Sequence, residues 1–203
     1  MLEIFAHRIL YNEIENNLKA IPFYEKLNIG IELDLRYGED GVYISHDVKK
    51  NGILFEDMCK NNSKSKIRMA LHIKEIKSVN ETIMLLKKYS MNNYFLFNTE
   101  NNDLVNLVDK YYVASYVSQK KNEKNTDILW CDEIDEKWYD EEVISDLHKK
   151  NKILYAMSLE VVKTCNKTEM IREWDRLIEL GINGICTKYP EKLNSFLAKR
   201  SLK

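Results

Sequence analysis

Residues 29–36 read Ile29-Gly30-Ile31-Glu32-Leu33-Asp34-Leu35-Arg36, an aliphatic run with a charge at every second position from Glu32. In a β-strand successive side chains face opposite ways. Ile31, Leu33 and Leu35 then share one face, and Glu32, Asp34 and Arg36 the other. A sheet that packs helices on the aliphatic side would turn the acids inward. Two carboxylates held together away from water repel each other and lose hydration. They persist only if protonated, paired or bound to a cation. Oxygen donors suit a hard cation such as Mg²⁺ or Ca²⁺. Ion-paired structural acids are the other reading open at this point.

Seven further short runs rich in branched or aromatic residues flank this one. They are Glu3–Ala6, Met69–Lys74, Tyr94–Asn98, Tyr112–Val117, Ile128–Cys131, Ile153–Met157 and Gly184–Thr187. Near-continuous apolar runs of this length mark strands buried on both faces, as in parallel sheets. Val42–His46, after the turn-like Gly38-Glu39-Asp40-Gly41, reads as an excursion beyond the second strand. Helical patterns fill the intervals. Ile14–Leu27 has an apolar stripe interrupted by Pro22. Ser78–Tyr89 opens with the Ser78/Glu81 spacing of a capping box. Trp138–Lys149 and Thr168–Leu180 are amphipathic, the second stopped by Gly181, and Pro190 opens a last helix. Alternation repeated eight times predicts an α/β fold, a (β/α)8 TIM barrel occupying residues 1–203 as one domain. An open doubly wound sheet uses the same alternation. The barrel would be compact, with a minimal capping insertion, because the segment between His46 and the third strand is short.

Composition narrows the class. The chain has 203 residues, 31 basic against 32 acidic, a net charge of -1, and 44% hydrophobic residues. That balance argues against a general nucleic-acid binder. Lys120-Lys121-Asn122-Glu123-Lys124-Asn125 reads as a solvated loop, too short and too interrupted for a nucleic-acid patch. No stretch approaches the roughly 18 apolar residues of a membrane span. Residues 1–8 lack the pattern of a secretion signal. Cys59, Cys131, Cys165 and Cys186 show no zinc-type spacing and read as reduced thiols. A cytoplasmic protein is expected, with oligomeric state unreadable.

The histidines sharpen the site. His7 ends the first strand beside Arg8, His46 ends the excursion beside Asp47, and His72 lies in the third strand with Lys74 on its face. Three histidines thus gather where the acids would point, a concentration that suggests chemistry. His148, beside Lys149 and Lys150, reads as a surface residue.

These residues carry a resemblance. Ala6-His7-Arg8, Glu15-Asn16, Ile31-Glu32-Leu33-Asp34-Leu35 and Asp40-Gly41-Val42-Tyr43-Ile44-Ser45-His46-Asp47 resemble the glycerophosphodiester phosphodiesterase family. This is a branch of the phosphatidylinositol phospholipase C-like phosphodiesterases. The ending Leu180-Gly181-Ile182-Asn183-Gly184-Ile185-Cys186-Thr187-Lys188-Tyr189-Pro190 is similar to the family's as well. The resemblance implies a (β/α)8 barrel and metal-dependent hydrolysis of a small phosphodiester. It implies His7 and His46 as general acid and base, and Arg8 at the phosphate with Lys74 as a second contact. It implies Glu32 and Asp34 as metal ligands and Glu15 and Asn16 as supporting residues. Trp130 and Asp132 are expected at the mouth.

The chain also departs from the family. Ile9 stands where the family has Gly. His72-Ile73-Lys74 stands where the family has Glu-Ile-Lys, so His72 replaces the third carboxylate ligand. An imidazole lowers the site's negative charge and shifts preference from Mg²⁺ or Ca²⁺ towards Mn²⁺ or a softer metal. Glu75 could substitute only through a one-residue slip that turns its side chain to the other face. The family's aromatic near the seventh strand is absent from Ala156-Met157-Ser158-Leu159-Glu160. A phosphate-binding barrel without catalysis and a lyase forming a cyclic phosphate are the competing readings.

Overall fold

The computed structural model describes residues 2–49, 52–98, 104, 113–117, 126–133 and 137–200. Its strands are β1 (Glu3–Ala6), β2 (Gly30–Gly38), β3 (Gly41–Ile44), β4 (Ile53–Leu54), β5 (Met69–Ile73), β6 (Tyr94–Phe97), β7 (Ala114–Val117), β8 (Ile128–Cys131), β9 (Ile153–Met157) and β10 (Gly184–Thr187). Eight of these run parallel in the order β6-β5-β2-β1-β10-β9-β8-β7. All eight expected strands form, to within a residue or two at their ends, except that the second, expected over Ile29–Leu35, runs three residues further to Gly38; Tyr112, expected to open the fifth, lies outside the described residues, as does the 120–125 loop. The excursion after the second strand is β3, which returns antiparallel on β2 and carries the short β4 at its edge.

The sheet curls strongly. Phe97 of β6, at one end of the strand order, stacks on Trp130 of β8 near the other, with ring centroids 4.4 Å apart. Among the described residues, one parallel bridge joins Leu96 of β6 to Val113, just before β7. Phe5, Ala70, Phe95, Phe97, Ala114, Ile128, Trp130, Tyr155 and Cys186 form a core of their own on the concave side. Ile31, Leu33, Leu35, Met69, Leu71 and Ile73 belong to the larger core on the convex side, beneath the helices. The strand alternation therefore resolves as the sequence pattern requires, with Glu32, Asp34 and His72 in phase with the concave face.

The helices are α1 (Ile21–Lys26), α2 (Phe55–Asn61), α3 (Val79–Lys88), α4 (Glu141–Lys149), α5 (Leu159–Val162), α6 (Lys167–Glu179) and α7 (Pro190–Arg200). The expected helix over 14–27 is shorter, because Asn12, Glu13 and Asn16 take left-handed backbone angles and leave Ile14 exposed. Pro22 then falls in the first turn of α1, where it costs little. The Ser78 capping box does not form. Ser78 already has helical angles, at the end of the 3-10 turn Ile76–Ser78, and its hydroxyl donates to the Glu75 carbonyl. Glu81 instead accepts from the Val42 amide at 3.3 Å. The helix expected from Trp138 starts at Glu141, since Asp140 caps it by accepting from Val143 N. α6 has a capping box, Asn166 with Glu169. Gly181, at φ +84°, follows its end. Cys59, Cys131 and Cys186 are buried thiols, and Cys165 is partly buried. No helix among the described residues is long and apolar enough to cross a membrane.

Candidate functional site

At the C-terminal ends of the parallel strands lies a cavity of about 390 Å³. His7, Arg8, Glu32, Asp34, His46, His72, Lys74, Trp130 and Asp132 all line it. Nine of the eleven residues singled out from sequence thus converge. Glu15 and Asn16 stay outside the lining but hold Arg8. Glu15 Oε1 accepts from Arg8 Nη1 at 3.0 Å, and Asn16 N donates to the Arg8 carbonyl at 2.6 Å.

Register explains the central cluster. Glu32 pairs with Ala70 and Asp34 with His72 across β2 and β5. Glu32, Asp34 and His72 place their ligand-type atoms within 4.8 Å of one another. His72 Nδ1 lies 2.8 Å from Asp34 Oδ1, and the His72 ring stacks on Phe97 at 4.7 Å. Glu32 Oε2 accepts from the Arg8 amide at 3.0 Å and stands 4.0 Å from His7 Nε2. Arg8 Nε is 3.2 Å from Asp34 Oδ2, an ion-pair distance without hydrogen-bond alignment.

The two carboxylates titrate in opposite directions. Burial and the Asp34 charge hold Glu32 well above the usual carboxylate range. Burial also opposes ionisation of Asp34. The His72 hydrogen bond and the Arg8 and Lys74 charges outweigh it and keep Asp34 at about 2. Burial, helped by Arg8, Lys188 and His46, pushes His7 down to about 3 against the pull of Asp34. Burial lowers His72 as well, against Asp34. Both rings are therefore neutral near pH 7, the form in which imidazole accepts a proton or binds a metal. Two carboxylates and a neutral imidazole suit a divalent ion, and a cation between them would offset the burial and repulsion that disfavour ionisation of Glu32.

Lys74 lines the cavity without a direct ion pair to either carboxylate, although its charge favours ionisation of both. Glu75 does not enter the cluster. Its carboxylate is taken by Arg36 Nη1 at 3.1 Å and Tyr37 N at 2.7 Å. The His46 side chain is 41% exposed, and its Nδ1 lies 2.8 Å from Asp47 Oδ1. His148 sits apart, its Nε2 3.0 Å from the Gly181 carbonyl.

Position 9 has a strained backbone. Arg8 and Ile9 take φ of +50° and +43°, a region that favours glycine and penalises a β-branched residue. Ile9 is nevertheless fully buried in the main core.

The rest of the wall was not foreseen. Phe97, Tyr116, Met157, Val161 and Val162 complete the lining. Phe97, Tyr116 and Trp130 make the aromatic part of this wall. Phe97 could have been found by its phase with Phe95 on a strand ending beside His72. Lys188 follows Thr187 in the terminal motif. Its backbone N–H donates to Glu160 Oε1 at 3.2 Å and its Nζ to the Glu160 carbonyl at 2.9 Å.

No family model matches the chain, and no curated protein matches it. Solved structures do. A glycerophosphodiester phosphodiesterase from Thermotoga maritima superposes over 98% of this chain and 99% of its own, at 18% identity and a TM-score of 0.64. A glycerophosphoryl diester phosphodiesterase from Parabacteroides distasonis matches all of this chain and 87% of its own, at 14% identity and a TM-score of 0.65. At such identities the likeness is one of fold. The chain thus has the fold of the glycerophosphodiester phosphodiesterases, the family that its His-Arg, Glu-x-Asp and His-Asp motifs resemble.

Proposed function

We propose that this chain is a metal-dependent phosphodiesterase of the glycerophosphodiester phosphodiesterase family, acting on glycerophosphodiesters or similar small phosphodiesters. The observation that carries the reading is one cavity bringing His7, Arg8 and His46 beside the Glu32, Asp34 and His72 cluster. In this reading residues 1–203 form one domain, and the curled sheet closes between β6 and β7 as a (β/α)8 barrel.

Glu32, Asp34 and His72 would hold the divalent ion. When bound, it would neutralise phosphate charge and polarise the ester for attack. Mg²⁺ or Ca²⁺ suits the carboxylates, and His72 widens the choice to Mn²⁺ or a softer ion. Arg8 binds the phosphate and stabilises charge growing on its oxygens. Its guanidinium is oriented by Glu15 and its backbone by Asn16. Lys74 adds a second cationic contact. His7 and His46 divide the proton transfers, one taking the proton of the attacking hydroxyl and the other returning one to the departing alkoxide. Phe97, Tyr116, Trp130 and Met157 shape the space for the alcohol group, with Asp132 at its edge.

The test is turnover of glycerophosphocholine and bis(p-nitrophenyl) phosphate with Mg²⁺, Ca²⁺ or Mn²⁺. Activity that needs the metal and is lost in His7→Ala and His46→Ala supports the reading. No turnover with any of the three metals refutes it. A second reading, a phosphate-binding barrel without catalysis, draws on the bond between His72 and Asp34, which satisfies part of the cluster internally. Calorimetric binding of glycerophosphocholine without turnover would favour it. Phosphorus NMR would identify a lyase by a cyclic phosphate as the end product.

A further inference from the structure

We propose that Arg36 is a positioning residue which, with Glu75, holds His46 at the edge of the cavity. The inference rests on the role given above to His46. The imidazole has little else to fix it. Its side chain is 41% exposed, and that of Asp47 beside it is 79% exposed. The order comes through the backbone. Arg36 is opposite Tyr43 in the β2–β3 hairpin, and its Nε donates to the His46 carbonyl at 2.8 Å. Its Nη1 donates to Glu75 Oε1 at 3.1 Å, while Glu75 Oε2 accepts from Tyr37 N at 2.7 Å. The Arg36 side chain is only 16% exposed.

One guanidinium therefore ties two loops together, the one after β3 that carries His46 and the one after β5 that follows His72 and Lys74. Lys74 N also donates to the Leu35 carbonyl at 2.9 Å, and Ser45 N to that of Asp34 at 3.1 Å. Both loops are thus registered on the strand that bears Glu32 and Asp34. The planar fork of arginine meets a carbonyl and a carboxylate at once; the point charge of lysine does so poorly. Arg36 is in phase with the two acids along β2, but it is directed sideways to the loops and is not part of the cavity lining.

Arg36→Gln, Arg36→Lys and Glu75→Gln test the clamp, with bis(p-nitrophenyl) phosphate turnover and with spectra of ¹⁵N-histidine-labelled protein. Arg36→Gln should lower kcat by about 10–100-fold, as expected for a misplaced catalytic group, with KM nearly unchanged. Arg36→Lys should recover only part of the loss. Glu75→Gln should act in the same direction and add little to Arg36→Gln in the double variant. The His46 ring signals should shift or broaden in Arg36→Gln while those of His72 stay in place. A kcat within about twofold of the parent, or unmoved His46 signals in a folded variant, overturns the proposal. Should Arg36→Gln fail to fold, the same two readouts in Glu75→Gln decide. If the parent protein turns over nothing, the phosphodiesterase reading fails, and the His46 signals still decide whether the clamp exists.

Discussion

Removing the Glu32 charge should stabilise the metal-free protein while destroying its response to metal. Glu32 and Asp34 are each 3% exposed. Asp34 stays ionised through its contacts with His72 and Arg8, so a fixed negative charge stands beside Glu32. At the 4.8 Å limit of the cluster and an effective dielectric near 20, two such charges repel by about 3.5 kcal/mol. Burial adds to this cost, and Arg8 and Lys74 offset part of it. A carboxyl raised in the folded state leaves stability untouched below its ordinary value of 4.5. As pH climbs from there to the folded value, stability falls by about 1.4 kcal/mol per unit and then levels. Glu32→Gln keeps the shape and an oxygen for the Arg8 amide, and removes that fall. In EDTA at pH 7 the variant should be more stable than the parent by about 1–3 kcal/mol in urea unfolding, a gap that closes towards pH 4.5. With a divalent ion at about one hundred times its Kd, the parent gains about 2.7 kcal/mol and the variant little, so their order reverses. A variant less stable than the parent in EDTA at pH 7 would refute the reasoning, because the partners of Glu32 would then outweigh its repulsion.

Two further outcomes follow from other residues. At position 9, Gly should be more stable than Ala by about 1 kcal/mol, against the ordinary order, because the backbone is left-handed there. Both should be less stable than Ile9, whose buried side chain is worth about 2–5 kcal/mol. Denaturant midpoints of Ile9→Gly and Ile9→Ala check this, and an Ala variant as stable as the Gly variant would contradict it. Glu173, mostly buried, accepts from Arg176 and Lys137, which outweigh the effect of its burial and lower its carboxyl below the ordinary value of 4.5. Its contribution is therefore complete above pH 4.5 and lost as pH falls through the folded value. Glu173→Gln should cost about 1–2 kcal/mol at pH 7, with the deficit shrinking under acid; a deficit independent of pH would show that the charge is immaterial.

The strands were legible because a buried parallel strand needs an unbroken apolar run, and eight such runs stand apart from amphipathic stretches. The polar faces were equally legible, since alternation admits only two phases and the aliphatic residues claim one. Helix starts were less so. Ser78 and Glu81 have the spacing of a capping box, but a preceding 3-10 turn and the nearby Val42 amide compete for them. The left-handed residues between Asn12 and Asn16 could not be read either, as the apolar stripe across them is consistent with a helix.

The sequence alone determined which residues carry charge into the concave face, because period-two alternation is a local property of the chain. It also determined that His7, His46 and His72 fall at strand ends. Only the tertiary structure decided the neighbours. The register of β2 on β5 sets Asp34 beside His72, and the β2–β3 hairpin brings His46 to Arg36. Curling of the sheet lays Phe97 against Trp130. These contacts join residues ten or more positions apart, and their geometry depends on register and curvature, which no local pattern encodes. The same holds for Ile9. Its identity is plain in the sequence, but both the left-handed backbone that disfavours it and the core that retains it exist only in the folded chain.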